Sequence, residues 1–241
     1  MGTMNAAILF CLVCVPAWAD LAAGQRAFER GDYASALKEL RPLATQGNRD
    51  AQFTLGFMYD EAKGVQYDYN EAVRWYRMAA EQGYTEAQFR LGAMYASTIG
   101  RAFLDPSLQP DYKEAAKWFR MAAAHGHTKA QFNLGRMYEL NLGMAVAPDY
   151  SEAAKWYRMA AERGYADAQY DLGAMYQDGQ GVPQDYVLAH MWYNLAGASG
   201  NAQAVKDRDR VAQKMTSAQI GDAQRRARDW KSKADAESAP K

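Results

Sequence analysis

A nine-residue motif that recurs four times constrains the fold of this chain most strongly. The motif, Ala-Gln-Phe-x-Leu-Gly-x-Met-Tyr, begins at Ala51, Ala87, Ala130 and, with Tyr170 in place of Phe, Ala168. Its starts are 36, 43 and 38 residues apart. Self-similarity at this period is typical of stacked helical repeats, in which each unit buries one face against its neighbour. The spacing therefore predicts an all-α repeat fold.

A second motif follows each copy and predicts the other helix of the pair. It reads Glu-Ala-x-x-Trp-Tyr/Phe-Arg-Met-Ala-Ala from Glu71, Glu114 and Glu152, and a diverged copy begins at Leu188. An Asp-Tyr pair opens these helices, so we expect a capping box in which Asp binds the N3 amide and Glu binds the cap amide. The aspartates are Asp32, Asp68, Asp111, Asp149 and Asp185.

Glycines recur at two places in each repeat. One set should end the helices in a left-handed C′ position; its members are Gly47, Gly83, Gly126, Gly164 and Gly200. The other set stands inside the nine-residue motif, where glycine costs about 1 kcal/mol relative to Ala; its members are Gly56, Gly92, Gly135 and Gly173. We expect neighbouring helices to approach closely there. Motif positions Ala, Leu and Met, at i, i+4 and i+7, predict the buried stripe.

The ends of the chain differ from the repeats. Residues 1–19 have no charged side chain and end in Ala17-Trp18-Ala19, which predicts a signal peptide and a periplasmic or secreted protein. Cys11 and Cys14 both lie in it, so the mature chain has no thiol. We predict N-terminal capping helices at 20–47, repeats at 48–83, 84–126, 127–164 and 165–200, C-terminal capping helices at 201–233 and a flexible tail at 234–241. Positions that are charged in the other repeats become Leu188, Met191 and Asn194 in the last one. This loss of charge suggests that the C-terminal helices cover the last repeat.

Charge and known motifs exclude several function classes. Lys+Arg and Asp+Glu each number 28, so no global charge favours nucleic acid or a membrane surface. No later apolar stretch approaches the roughly 20 residues of a transmembrane helix. Phosphate-loop, nucleophile-elbow, zincin and nucleic-acid-binding motifs are missing, so we predict no cofactor, no metal and no catalytic residue.

Two columns of basic residues form the candidate partner-binding site. One contains Lys38, Arg74, Lys117 and Lys155, and the other contains Arg41, Arg77, Arg120 and Arg158. Stacking would align them into a basic ladder for the acidic groups of a peptide, lipid headgroup or glycan. The alternative is a solvated face that Glu71, Glu114 and Glu152, three residues before the first column, partly neutralise. The insertion at 96–110, with Arg101, Phe103 and Leu104, is either a partner-specific loop or a passive extension.

Aromatic and histidine residues have structural interpretations. The column of Trp75, Trp118, Trp156 and Trp192 is more typical of packing between helices than of ligand stacking. His125 and His127 lack further metal ligands, so we expect them to sit favourably near a helix C-terminus.

The two motifs, the Asp-Tyr openings and Gly-Val-Pro-Gln-Asp-Tyr at 181–186 closely resemble Sel1-like repeats, which are related to tetratricopeptide repeats. The resemblance implies a right-handed α-α superhelical solenoid with helical caps. It also implies a non-enzymatic adaptor of the bacterial envelope that binds a protein through its concave face and loop edge. Some cysteine-rich relatives bind penicillins, so a β-lactam-binding or hydrolysing enzyme is an alternative, which the lack of cysteine in the mature chain disfavours. Binding of an acidic glycan along the basic ladder is a further alternative.

Overall fold

The computed structural model describes residues 19–97, 109–143 and 147–238, and every regular element in these ranges is an α-helix. The helices of these ranges are α1 Leu21–Glu29, α2 Tyr33–Thr45, α3 Arg49–Asp60, α4 Tyr69–Glu81, α5 Thr85–Ala96, α6 Tyr112–Ala124, α7 Thr128–Glu139, α8 Tyr150–Ala161, α9 Ala166–Asp178, α10 Tyr186–Ala198, α11 Ala202–Ala212 and α12 Ser217–Ser238. The chain divides into two compact units between Ala87 and Gln88. The predicted signal peptide, apart from Ala19, lies outside the described residues.

Two kinds of helix alternate along the chain. The motif helices α3, α5, α7 and α9 carry the nine-residue motif, and the Asp-Tyr helices α2, α4, α6, α8 and α10 follow an Asp-Tyr opening. In the first unit α3 packs against α2 and α4. In the second unit α7 packs against α6 and α8, and α9 packs against α8 and α10. Each unit is therefore built from neighbouring helix pairs.

An aspartate N-cap begins each Asp-Tyr helix, as predicted. The Asp149 carboxylate accepts the Glu152 amide at 2.9 Å. The same contact is made by Asp32, Asp68, Asp111 and Asp185. The predicted return bond from the glutamate is wrong, because the Asp149 amide donates instead to the Tyr138 carbonyl at 3.0 Å. The glutamate side chain is thereby left to bind other groups of its own helix.

This amide–carbonyl bond closes each loop from a motif helix to the next Asp-Tyr helix. It joins Tyr59 to Asp68, Tyr95 to Asp111, Tyr138 to Asp149 and Tyr176 to Asp185, at 3.3, 2.9, 3.0 and 2.9 Å. The loops differ in length, yet the same two backbone groups meet at their ends. Insertions between these ends leave both helices in place, which explains the unequal spacing of the repeats.

Glycine ends the Asp-Tyr helices in the predicted way. Gly83 has φ +80°, and the Tyr84 amide donates to the Ala79 carbonyl at 3.1 Å. This six-to-one bond, with the Gly83 amide bonded to the Ala80 carbonyl, is a Schellman motif. The equivalent six-to-one bonds start from Asn48, His127, Tyr165 and Asn201. A turn of fixed geometry therefore links each Asp-Tyr helix to the helix that follows it.

The glycine inside each motif lies under an aromatic ring of the following Asp-Tyr helix. A Cβ added at Gly135 would stand 2.5 Å from Cδ1 of Tyr157, which is fully buried. The other pairs are Gly56 with Tyr76, Gly92 with Phe119 and Gly173 with Tyr193. The predicted close approach is confirmed, and the group that requires it is a ring rather than backbone. The predicted Ala, Leu and Met stripe is buried in all four motifs.

The hydroxyls of these rings explain why one of the four is phenylalanine. Tyr157 donates to Glu139 at 2.5 Å, Tyr76 donates to Asp60 at 3.1 Å and Tyr193 donates to Gln177 at 3.3 Å. Each acceptor stands directly after its motif. At that position the remaining repeat has Ala96, which offers no side-chain acceptor, and its ring is Phe119. A buried hydroxyl is present only where the preceding helix supplies a partner.

A glutamine in every motif is also buried, and this burial was not predicted from the sequence. The Gln52, Gln131 and Gln169 side-chain amides donate to the carbonyls of Ala44, Ala123 and Ala161 at 3.0, 3.2 and 3.1 Å. Those carbonyls belong to the last turn of the preceding Asp-Tyr helix, where the backbone lacks intrahelical donors. The recurrence of Gln after the first Ala is the sequence signal for this contact.

The C-terminal helices cover the last repeat, as the sequence suggested. Met191 and Leu195 are buried in the cluster that also contains Ala227 of α12, and Trp192 meets Trp230 edge-on at 6.2 Å. Tyr170, the only departure from Phe in the motif, donates its hydroxyl to the buried Asp207 of α11. Helix α12 continues to Ser238, beyond the predicted start of the tail at 234, because no Pro or Gly occurs between Asp222 and Pro240.

Candidate functional site

The two basic columns lie on the exposed sides of the Asp-Tyr helices. Their predicted site residues are Arg74 and Arg77 on α4, Lys117 and Arg120 on α6, and Lys155 and Arg158 on α8. All are exposed except Arg158, which is half-buried. The first two belong to the first unit, and the other four belong to the second. The remaining predicted site residues, Arg101 and Phe103, lie outside the described residues.

Cations of the first column pair with the glutamate three residues earlier. Arg74 binds Glu71 at 3.0 Å, Lys117 lies 3.5 Å from Glu114, and Lys155 binds Glu152. The predicted neutralisation by these glutamates is confirmed. Exposed ion pairs of this kind contribute about 0–1 kcal/mol to stability. The glutamates therefore hold the cations of the first column only weakly.

Arginines of the second column bind tyrosine hydroxyls of the next motif helix. Arg158 donates to Tyr176 at 2.6 Å and Arg120 donates to Tyr138 at 3.3 Å, and in the first unit Arg41 donates to Tyr59 at 2.8 Å. Each pair is 18 residues apart. The hydroxyl is neutral, so each of these bonds orients the guanidinium without forming an ion pair. These arginines therefore link neighbouring helix pairs.

Exposed methionines, which were not predicted from the sequence, stand beside the cations. Met121 and Met159, each four residues after a lysine of the first column, are 37% and 40% exposed. Met78 is partly buried, and Leu195 at the same position of α10 is only 5% exposed. The Arg-Met pair after each aromatic position was the available signal. We define the Lys-Met face as Lys117, Arg120 and Met121 of α6 with Lys155, Arg158 and Met159 of α8.

Tryptophans of the Asp-Tyr helices pack as predicted, with one exception in their hydrogen bonding. Trp75, Trp118 and Trp192 are buried, and Trp156 is partly buried. The indole N–H groups of Trp75 and Trp118 donate to Glu71 and Glu114 at 2.9 and 3.2 Å. Glu152 binds Lys155, and the buried Trp156 Nε1 has no acceptor among the described residues.

The loop edge, which was also predicted to bind a partner, exposes apolar side chains. Tyr67 is 39% exposed in the first unit. In the second unit Leu140 is 52% exposed and Tyr150 is 36% exposed. Tyr67 and Leu140 lie between a motif helix and the next Asp-Tyr helix, and Tyr150 is the first residue of α8. In the second unit, Leu140 and Tyr150 are a second candidate site, separate from the Lys-Met face in sequence position.

The histidines cap helices in two different ways. His125 is the C-cap of α6, as expected. His127 is the N-cap of α7, where its Nδ1 accepts the Ala130 amide at 3.2 Å and its ring stacks on Phe89 at 4.3 Å. The prediction of a C-terminal position is therefore wrong for His127, because a two-residue step across Gly126 brings it to the next helix. Within the described ranges, no group of three or more His, Cys, Asp or Glu side chains could hold a metal ion.

A carboxyl cluster lies between α7, α8 and α9. The Tyr157 hydroxyl binds Glu139, and Asp171 of α9 is mostly removed from solvent near them. Burial, then the Glu139 charge, raises the pKa of Asp171 to about 7 against the opposing effect of Arg136. Burial and the bond to Glu139 also raise the pKa of Tyr157. Asp171 is thus a carboxyl that the fold keeps partly protonated near neutral pH.

We expect Asp171→Asn to stabilise the protein, and increasingly so as pH rises. The unfolded chain loses this proton near 3.8, whereas the folded chain keeps it to about 7. Unfolding is therefore favoured progressively through that window, and the penalty is constant above it. Asn133 already occupies the equivalent position of α7. The melting temperature of the variant relative to the native chain, measured at about pH 5, 6.5 and 8, should increase across the series. A difference independent of pH, or no larger than that of the exposed control Asp178→Asn, would contradict the assignment.

Comparison with known proteins gives a consistent picture of the repeats. A sequence profile of the Sel1 repeat matches residues 49–84, 85–127, 128–165 and 166–201, each one residue later than the predicted repeat. No curated protein matches the chain. No helix in the described ranges combines the length and apolar character that crossing a membrane requires.

Two crystal structures of similar sequence share the fold. One is c5321, a protective antigen of uropathogenic Escherichia coli strains that displays an SLR fold; its TM-score is 0.73 at 36% identity over 88% of this chain and 45% of that chain. The other is a Sel1 repeat protein from Oxalobacter formigenes, with a TM-score of 0.68 at 34% identity over 77% of this chain and 72% of that chain. This chain thus spans less than half of the Escherichia coli antigen. The predicted all-α fold of Sel1-like helix pairs is confirmed.

Proposed function

We propose that this chain, which belongs to the Sel1 repeat family, is a non-enzymatic scaffold that binds a protein partner in the bacterial cell envelope. Sel1 repeat proteins are generally scaffolds for protein interaction. The observation that carries the proposal for this chain is the exposure of Met121 and Met159 on the Lys-Met face. A concave binding face stays a prediction of the repeat architecture.

The Lys-Met face has the composition of a protein-binding surface. Methionine is flexible and polarisable, so it adapts to different apolar partners. Arginine is enriched where protein interfaces are buried. The cations around Met121 and Met159 are already oriented by Glu114, Glu152 and two tyrosines, which lowers the entropy that a partner must offset on binding. The loop edge is the alternative binding surface.

An envelope location rests on the predicted signal peptide at residues 1–19. Mass spectrometry of the protein from the periplasmic and extracellular fractions should find a mature chain that begins near Asp20. A full-length chain confined to the cytoplasm would contradict the location without affecting the binding proposal.

Affinity capture from an envelope fraction tests the function. The native chain should recover a specific protein, and the double variant Met121→Glu, Met159→Glu should lose about tenfold or more of it, since buried apolar anchors dominate interface energies. Leu140→Glu, at the exposed loop edge, is the matched control and should retain capture. Circular dichroism should be unchanged because all three side chains are exposed.

Failure to recover any specific protein with the native chain would contradict the scaffold proposal. Loss with Leu140→Glu and retention with the double variant would move the site to the loop edge. Turnover of a chromogenic β-lactam by the pure protein would contradict the non-enzymatic assignment.

A further inference from the structure

We propose that the Lys-Met face binds an acidic amphipathic α-helix of the partner, in the way that α12 covers the corresponding positions of α10. The inference rests on the proposed function, since it names the kind of partner that the scaffold receives. It is carried by three observations: the covered repeat at the C-terminal end, the charge of the face and the hydrogen bonding of Trp156.

In the last repeat, the positions that correspond to the lysines and methionines of the Lys-Met face are apolar and buried. Met191 of α10 occupies the position of Lys117 and Lys155, and Leu195 occupies the position of Met121 and Met159. Both are buried in the cluster to which α12 contributes Ala227 and Trp230. Helix α12 also packs along α10. In this fold, another helix can therefore pack against an Asp-Tyr helix at the positions of Met191 and Leu195.

The helix that binds the Lys-Met face of α6 and α8 should differ from α12 in its charge. Lys117 and Lys155 of the Lys-Met face pair with Glu114 and Glu152. Arg158 binds the neutral hydroxyl of Tyr176, so these three cations are in excess over the carboxylates that they contact among the described residues. Between residues 217 and 231, α12 itself has four basic and two acidic residues, so α12 of a second copy would be repelled. The geometry points to a helix of a different protein, with acidic residues beside its apolar stripe.

Trp156 provides an independent indication of an acidic ligand at Lys155. Glu71 and Glu114 each accept an indole N–H as well as lying near a cation, whereas among the described residues the Glu152 carboxylate binds Lys155 alone. A partner carboxylate that binds Lys155 would release Glu152 toward the buried Trp156 N–H, which has no other acceptor in the described ranges. Binding would then satisfy a donor that is costly to leave unpaired.

Three synthetic peptides of about 18 residues, long enough for five helical turns, test the proposal on the full mature chain. The first has Leu at i, i+3, i+4 and i+7 spacing with Glu on both flanks. The second has Lys in place of Glu, and the third is a scramble of the first that has no apolar stripe. Fluorescence anisotropy should show binding of the first and at least about tenfold weaker binding of the other two.

Variants and NMR locate the peptide on the face. Met159→Glu and Lys155→Glu should each weaken binding of the acidic peptide about tenfold, whereas Arg228→Glu on α12 should not. In ¹⁵N-indole spectra the Trp156 N–H resonance, assigned with Trp156→Phe, should shift on binding, and the Trp75 resonance should not.

Equal binding of the scrambled or basic peptide, no binding of any peptide, or insensitivity to Met159→Glu would overturn the inference. The capture experiment separates this failure from failure of the scaffold proposal. A partner recovered equally by the native chain and by the double methionine variant leaves the scaffold in place and removes the acidic helix. A native chain that recovers nothing removes both.

Discussion

Gly135→Ala should lower the free energy of unfolding by about 1–3 kcal/mol, the usual cost of overpacking a core. The added Cβ would stand 2.5 Å from Cδ1 and 2.6 Å from Cε1 of Tyr157. That ring is fully buried, and its hydroxyl is bonded to Glu139, so it has no room to move aside. Alanine would gain about 1 kcal/mol of helix propensity, and the clash is expected to exceed that gain. Chemical denaturation of the two proteins measures the difference.

Gly221→Ala is the matched control for this prediction. Gly221 lies within α12, and an added Cβ would meet nothing within 4 Å. The same chemical change should therefore stabilise the protein by about 0.5–1 kcal/mol through helix propensity alone. Stabilisation by both substitutions would mean that the motif glycine is not required by the ring, and the account of the core would fail.

Phe119→Tyr should also destabilise the protein by about 1–3 kcal/mol, because it would bury a hydroxyl without an acceptor. Phe119 is 2% exposed and lies on Gly92, and Ala96 stands where the other repeats have Asp60, Glu139 or Gln177. Adding Ala96→Asp should restore most of the loss by recreating the Tyr76–Asp60 arrangement. A double-mutant cycle of unfolding free energies measures the coupling between the two sites.

The single change Ala96→Asp is the control in that cycle. It adds a carboxylate at a helix end without a hydroxyl to bind, so it should not stabilise the native chain. Additive effects of the two substitutions, with no coupling energy, would contradict the inferred dependence of the hydroxyl on its acceptor.

The repeats were predictable because the same residue type recurs at equivalent positions of several repeats. Asp at the start of an Asp-Tyr helix, Gly at its C′ end and Ala, Leu and Met in the motif have local reasons that spacing alone reveals. The glutamate return bond was mispredicted because the cap amide is taken by a carbonyl from the preceding helix, Tyr138 for Asp149. That competitor is distant in sequence, so helix-capping rules do not include it.

The candidate site was predictable only in part. The lysine and arginine columns and their glutamate partners follow from i, i+3 spacing on one helix. The arginine–tyrosine bonds join residues of different helices, such as Arg158 and Tyr176, and depend on how repeats stack. The exposure of Met121 and Met159 was missed because methionine at helical spacing is usually interpreted as core. The same position of α10 is Leu195, which is buried, so exposure at this position differs between repeats.

Site-specific photo-crosslinking tests most directly whether the Lys-Met face is where the scaffold binds. A photoreactive phenylalanine analogue at Met159 in the full chain, irradiated in intact envelopes, should form a covalent adduct with one specific protein. The adduct should be absent when the same analogue replaces Gln224, which is exposed on α12. Equal crosslinking at both positions, or adducts from Gln224 alone, would contradict the account.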